Sequence, residues 1–309
     1  MAILFTAISY GGHFCLVALH FPLRYPHDVS RRSSPIAFKD IRPLGIGRLT
    51  SCVESTSHRT GILIGSAKGL FHLADTDSTP RRLRRNPVGF IVSGETGAVC
   101  YEEVKGHGRL AVLDHELEER KTDLDLARTI NPVAFWSDGI IIFHKAEFVC
   151  LDLATGARSR LAEFVATHTM TPLVRVPDGF EFIASYREPR WPTFLHKLIL
   201  PVEKGGEGMV EVLARAEDPV MSRQFLKLSE GYYLAIPQGR PIFLVYKVFA
   251  GAEAGIRTWM LIPIVGDAQP VGMVKVGRAL LAACADSLCV FSLSAEFEAG
   301  RPPAEEAML

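Results

Sequence analysis

Short apolar runs separated by turn residues recur along the whole chain. The clearest example is Gly61–Asp75, GILIGSAKGLFHLAD, in which two apolar runs flank a small Gly-containing turn. Without gaps it aligns with Gly139–Leu153, so that Ile62–Ile64 fall on Ile140–Ile142, and a third copy occupies Ala279–Leu293. Apolar runs of this length, bounded by turn residues, are typical of buried strands. Each copy therefore predicts a β-hairpin.

Looser copies of the same unit fill the intervals between the clear ones. They lie at 97–114, 179–200 and 231–249 and at the N-terminus, which makes seven predicted hairpins. From the second hairpin onward their starts are about 36 to 51 residues apart, a period typical of propeller blades. The sequence thus predicts an all-β protein, a β-propeller of seven blades. Six blades is the alternative, because a hairpin need not head a blade, and a β-sandwich of two stacked meanders also remains open.

Strong apolar strands at both chain ends predict how such a ring closes. We expect Ile3–Ser9 to pair with Leu288–Leu293, so that the N- and C-terminal segments complete one blade. Residues 1–294 are then a single propeller domain. The acidic, Pro-containing tail at 295–309 is expected to be disordered.

Individual units resemble blades of known propellers. Asp152–Arg160, DLATGARSR, is similar to the ends of quinoprotein-like and WD-type blades, although the Gly-His and Trp-Asp pairs of WD repeats are missing. The hairpins GILIGSAKGLFHL and GIIIFHKAEFVCLDL resemble strands of citron-homology propellers. The resemblance implies a propeller fold. Since citron-homology propellers serve as interaction domains, it also implies an interaction role, but a fold can carry many functions.

Charge and cysteine usage restrict the class of partner and the compartment. Lys+Arg and Asp+Glu are equal in number, so we expect neither nucleic acid nor a membrane as partner. The chain has no apolar stretch long enough to cross a bilayer and no Lys or Arg before Arg24, which argues against a signal peptide. Its six scattered cysteines form no disulfide framework, which favours the reducing cytoplasm.

Motifs for catalysis and cofactors are missing from the sequence. The histidines lack metal-ligand spacing, and His72, His144 and His196 fall in or beside predicted strands, where we expect hydrogen-bonded structural roles. The sequence contains no nucleophile elbow and no dinucleotide-binding loop. We therefore predict no catalytic residues, no cofactor and no metal site.

Two clusters are candidate contact sites for a partner protein. One is the run Arg81, Arg82, Arg84 and Arg85; the other is Tyr186, Arg187, Arg190 and Trp191 in a long turn. Arginine, tyrosine and tryptophan dominate the energetics of protein interfaces. For the first cluster the alternative is an outer strand whose charges prevent edge pairing. For the second, it is an ordinary loop whose tryptophan packs on the blade.

We therefore expect a monomeric, non-catalytic scaffold that binds other proteins. Two further functions stay open: a metal-dependent hydrolase or lyase with its active site in the propeller channel, and a small-ligand sensor.

Overall fold

The computed structural model describes most of the chain. The described residues are 4–10, 13–19, 35–55, 60–105, 107–120, 132–137, 139–164, 169–186, 193–201, 206–216, 222–237, 242–249, 255–264 and 270–301. Among these residues, no helix is long and apolar enough to cross a membrane.

The first two strands form a sheet of their own. The strands β1 (Leu4–Tyr10) and β2 (His13–Leu19) pair as an antiparallel hairpin, in the register Leu4 opposite Leu19. This hairpin belongs to one compact unit of the chain, and residues 34–303 form another. The predicted N-terminal hairpin is confirmed, but the propeller unit begins at Ser34 and not at residue 1.

Six sheets make up the second unit. Its first strand, β3 (Ile36–Pro43), belongs to the last sheet. Blade 1 consists of β4 (Leu49–Ser55), β5 (Gly61–Ser66), β6 (Gly69–Leu73) and β7 (Arg81–Arg84). Blade 2 consists of β8 (Val88–Gly94), β9 (Gly97–Val104), β10 (His107–Leu113) and β11 (Glu119–Arg120). Blade 3 consists of β12 (Pro132–Trp136), β13 (Gly139–His144), β14 (Glu147–Asp152) and β15 (Arg158–Glu163).

The remaining three blades follow the same order. In blade 4, β16 (Thr169–Met170) and β17 (Val174–Val176) both pair with β18 (Gly179–Ser185), which is followed by β19 (Thr193–Ile199) and β20 (Met209–Arg215). Blade 5 consists of β21 (Ser222–Ser229), β22 (Tyr232–Pro237), β23 (Ile242–Phe249) and β24 (Gly255–Pro263). Blade 6 consists of β25 (Pro270–Val276), β26 (Ala279–Cys284), β27 (Ser287–Leu293) and β3.

The molecule is an all-β propeller of six blades, so the prediction of seven is wrong and the six-blade alternative fits. Six of the predicted hairpins are the two middle strands of the six blades. The seventh, β1–β2, is a separate two-stranded sheet. Middle strands are covered on both faces by neighbouring blades, which is why their sequences are continuous apolar runs.

Ring closure uses a different strand from the predicted one. One edge of β27 pairs with β26 and the other with β3, in the register Leu293 opposite Ile36 and Ser287 opposite Pro43. Both edges of β27 are therefore occupied, and β1 pairs with β2 instead. The predicted pairing of Ile3–Ser9 with Leu288–Leu293 is wrong.

The hydrophobic core is divided among the interfaces between blades. The described residues form six clusters of buried side chains, and each cluster joins two neighbouring blades. One of them packs Ile62 and Phe71 of blade 1 against Leu281 and Leu288 of blade 6, so the ring is continuous. Each blade is thus stabilised by the two beside it.

Several blades begin their second strand with glycine because a side chain would not fit at that position. Gly61 and Gly97 adopt φ angles of 137° and 153°, which side-chain-bearing residues rarely adopt. A Cβ atom on Gly61 would lie 2.1 Å from the Leu73 carbonyl oxygen, and one on Gly97 would lie 2.0 Å from that of Leu113. The repeat keeps glycine there because the third strand passes too close for a side chain.

A helical turn follows the last blade. Residues Ala295–Glu298 form α1, and Phe297 is buried against Tyr232 of blade 5. The tail predicted to be disordered from residue 295 therefore begins with an ordered turn, and residues 302–309 lie outside the described residues.

Candidate functional site

A central channel runs between the innermost strands of the blades. It encloses a cavity of about 1080 Å³, and every blade contributes lining residues from its first strand. The lining is largely apolar, with aromatic side chains Phe90, Phe135, Trp136, Phe143, Phe180 and Phe225. Concave, mainly apolar sites with a few polar groups are typical of ligand-binding pockets.

Hydrogen bonds between neighbouring inner strands fix which lining residues share a level. The Ser93 hydroxyl donates to the carbonyl oxygen of Glu54, so these two residues of blades 1 and 2 lie at the same height along the channel. The Lys275 ammonium, on β25, donates to the carbonyl oxygen of Leu228 over 3.1 Å, and also to that of Phe297. Glu54, Ser93 and Lys275 all stand near the last residue of their strands, and together they mark one end of the channel.

Glu54 and Lys275 influence each other's charge at this end. Burial raises the pKa of the Glu54 carboxyl, and the charge of Lys275 opposes that rise. Burial lowers the pKa of the Lys275 ammonium, and the charges of Glu54 and Glu298 oppose that fall. Burial thus disfavours the ionised form of both groups, and the opposite charge of each neighbour favours it.

A second cation in the channel lining has a different environment. The Arg175 guanidinium lies 5.0 Å from the ring centre of Phe180, directly across the β17–β18 pair. Among the ion pairs between described residues, none includes Arg175. Its charge therefore faces the channel without a carboxylate partner in the described part of the chain.

The arginine run divides into exposed and buried members. Arg81, Arg82 and Arg85 are exposed on or just after β7, the outer strand of blade 1. Arg82 lies over the ring of Phe71 and donates to the carbonyl oxygens of Arg84 and Arg85 over 3.3 and 3.2 Å. Three of the four arginines thus lie at the surface, with the Arg82 side chain held against its own blade.

Arg84, by contrast, is committed to an ionic network between blades 1 and 2. Its side chain is only 12% exposed and forms a two-pronged ion pair with Glu102, whose side chain is fully buried. Asn86 and Arg109 also donate to Glu102, each over 3.3 Å, and Glu119 bridges Arg84 and Arg109 at 2.9 Å. Burial works to raise the pKa of Glu102, but the bonds and charges of Arg84, Asn86 and Arg109 outweigh it and hold the pKa low.

The second predicted contact cluster is described only at Tyr186. Its hydroxyl is 3.0 Å from Nε2 of His196, and its ring packs edge-on to Phe194. Arg187, Arg190 and Trp191 lie outside the described residues.

His196 has the structural role predicted for it. Its side chain is 2% exposed and packs among the rings of Phe164 and Phe182, at 4.9 and 5.2 Å. Burial lowers the pKa of this imidazole to about 4. The ring is therefore neutral in the folded protein at physiological pH.

The buried imidazole should make the fold sensitive to acid. A histidine with a lowered folded pKa stabilises the protein above its unfolded value near 6.5, and that stability is lost as the pH falls towards 4. The loss amounts to about 3 kcal/mol. We expect His196→Gln to flatten the decline in unfolding free energy between pH 6.5 and 4, measured by urea denaturation, whereas the exposed-site control His107→Gln should retain it. An unchanged decline in His196→Gln would contradict this assignment.

The outer edges of the blades differ in character. On blades 1 and 3 they carry arginines, in β7 and β15, which discourage pairing with other chains. On β3, the outer strand of blade 6, Phe38 and Ile41 are 41% and 40% exposed. Sequence reasoning missed this pair because their spacing of three residues does not suggest a common face.

A bulge places Phe38 and Ile41 on one face. They lie opposite Phe291 and Cys289, which are two residues apart on β27 and so point the same way, and the register shifts between these pairs. Phe38 packs edge-on against Phe291, with ring centres 5.6 Å apart. The two side chains thus form an apolar strip on β3, the last strand of its sheet.

No group of three or more His, Cys, Asp or Glu side chains that could hold a metal ion occurs among the described residues.

Comparison with known proteins shows the fold and no family. No protein-family model and no curated protein sequence matches the chain. A chain from the crystal structure of a mitotic checkpoint complex aligns with a TM-score of 0.58 and 9% identity, over 89% of this chain and 99% of that one. The fold is a β-propeller.

Two enzyme structures align comparably well with this propeller. The PQQ-bound aldose sugar dehydrogenase from Streptomyces coelicolor gives a TM-score of 0.53 and 10% identity, over 84% of this chain and 98% of that one. A putative gluconolactonase gives a TM-score of 0.54 and 11% identity, over 84% and 94%. At these identities the likeness concerns the fold alone.

Proposed function

We propose that this propeller is a monomeric, non-catalytic scaffold that binds another protein along the outer edge of blade 6. The observation that carries the proposal is the exposed apolar strip of Phe38 and Ile41 on β3, the last strand of its sheet.

The geometry of β3 favours an extended segment of the partner. The strand lies last in the order of its sheet, and among the described strands it pairs with β27 alone. Main-chain hydrogen bonds provide affinity in strand addition, and side chains at alternate positions provide specificity. We expect the partner segment to carry apolar side chains that cover Phe38 and Ile41.

The edge of β3 carries charges of both signs beside the apolar strip. The only ionisable side chains between Phe38 and Ile41 are Lys39 and Asp40, one of each sign. The Asp40 carboxylate accepts a hydrogen bond from the Ile41 amide over 2.8 Å, and so it is held against its own strand. On β7, by contrast, the exposed side chains of Arg81 and Arg82 carry charges of one sign.

Two other regions are proposed as secondary contacts. The exposed Arg81, Arg82 and Arg85 could receive acidic side chains of the partner, whereas Arg84 is committed to Glu102. The second region is the contact cluster predicted from the sequence, which consists of Tyr186, Arg187, Arg190 and Trp191.

Site-specific photo-crosslinking tests the primary surface. With p-benzoylphenylalanine at position 38, the full-length protein in its native cells should crosslink to one protein partner. The same probe at Met209, which is 57% exposed on the outer strand of blade 4, should not capture that partner. Equal capture from both positions, or a crosslink to a second copy of this chain, would contradict the proposal.

The partner so identified then allows a quantitative test. Phe38→Glu and Ile41→Glu should each weaken its binding at least tenfold, because a charge replaces a buried apolar contact. Met209→Glu should leave binding unchanged, and the melting temperature of each variant shows whether the propeller is intact. Wild-type affinity in a folded Phe38→Glu protein would refute the role of this surface.

The cytoplasm is the proposed compartment. Five buried cysteines form no disulfide with one another: Cys52, Cys100, Cys150, Cys284 and Cys289. Burial raises the pKa of the Cys52 and Cys100 thiols to about 12, which keeps them protonated and unreactive. Such thiols are usual in proteins of a reducing compartment.

A further inference from the structure

The wall of the channel at blades 3 and 4 combines one cation with flat apolar surfaces. Arg175 stacks over Phe180, and both residues line the channel together with Trp136, the last residue of β12. A guanidinium stacked on an aromatic ring keeps its donors at the ring's edge, where they can reach an anion bound on the same surface.

Other polar groups at the same end of the channel already have partners. The Lys275 ammonium donates to two carbonyl oxygens and faces Glu54. The hydroxyl of Ser93 donates to the carbonyl oxygen of Glu54, and that of Thr96 donates to the carbonyl oxygen of Ser137 over 2.6 Å. The Arg175 guanidinium, by contrast, forms no hydrogen bond or ion pair with another residue in the described part of the chain.

The acidic residues of the channel lining do not neutralise the charge of Arg175. Glu54 is balanced by Lys275 on the neighbouring strand. Glu95 lies in the turn between β8 and β9 of blade 2, two blades away from Arg175 in blade 4. An anion entering the channel thus meets its best partner at Arg175.

We propose that the channel binds a small organic carboxylate with a flat apolar body. The carboxylate pairs with Arg175, and the apolar body lies against the partly exposed ring of Trp136. The cavity of about 1080 Å³ is large enough for a ligand of this size. This site lies in the channel and not along β3, so it stands independently of the proposed scaffold function.

Calorimetric titration with three naphthalene probes tests the site on the full-length protein. We expect 1-naphthoate to bind with one-to-one stoichiometry and at least tenfold more tightly than either the neutral 1-naphthalenemethanol or the cationic 1-naphthylmethylamine. Arg175→Gln should abolish that preference, whereas Arg81→Gln, which changes an exposed arginine on β7, should keep it.

Controls distinguish the site from general apolar binding. Trp136→Phe should weaken all three probes by a similar factor, and Phe38→Glu should affect none of them. Absence of 1-naphthoate binding up to millimolar concentration would overturn the proposal. Unchanged anion preference in an Arg175→Gln protein with wild-type melting temperature would overturn it as well.

Discussion

Replacing Arg84 with Met should lower the free energy of unfolding by about 3–5 kcal/mol, because it leaves a fully buried carboxylate without its principal partner. Asn86 and Arg109 remain as donors to Glu102, but each does so through a single bond of 3.3 Å. Urea denaturation at pH 7 measures the loss. Arg81→Met, on the same strand but exposed, should cost no more than about 0.5 kcal/mol.

A second substitution separates the buried charge from simple loss of packing. If the penalty comes from the unpaired carboxylate, adding Glu102→Met to Arg84→Met should recover much of the lost stability, since apolar pairs often replace buried ion pairs without cost. The penalty of Arg84→Met alone should also shrink at acidic pH, because Glu102 without Arg84 becomes protonated in the folded protein and then no longer needs a cationic partner. A double variant no more stable than Arg84→Met would show that the network stabilises the fold in another way.

Removing β3 should have a comparable or larger effect, because this strand covers the last blade. Without it Ile36 is lost, and Cys289, Phe291 and Leu293 of β27, all buried in the intact ring, become accessible to water. Burial of one such side chain is worth about 1.5–3 kcal/mol, so the total loss is on the order of 5 kcal/mol. Domains of this kind are stable by only about 5–15 kcal/mol, and the ring should therefore be close to unfolding.

The middle strands of the blades could be predicted from the sequence because both of their faces are buried. Runs such as Ile62–Ile64 and Ile140–Ile142 have a pattern that needs no knowledge of distant residues. The same pattern in β1 and β2 predicted a seventh blade, because apolar content does not say which sheet a hairpin joins. Blade number depends on long-range pairing, which a local pattern cannot show.

The candidate sites depended still more on contacts between distant residues. The four charges of the arginine run look alike in the sequence, yet only Arg84 faces Glu102, eighteen positions further along the chain. Phe38 and Ile41 share a face only because of a bulge against β27, a strand some 250 residues away. Arg175 became a candidate only when the ring placed it in the channel lining.

Thermal unfolding of two shortened chains tests ring closure, on which the apolar strip on β3 and the continuous channel both depend. One chain comprises residues 35–309 and keeps β3; the other comprises residues 44–309 and lacks it. We predict that the shorter chain melts at least 10 °C below the longer one, or fails to fold. Equal melting temperatures would show that β3 does not close the ring and would contradict the account.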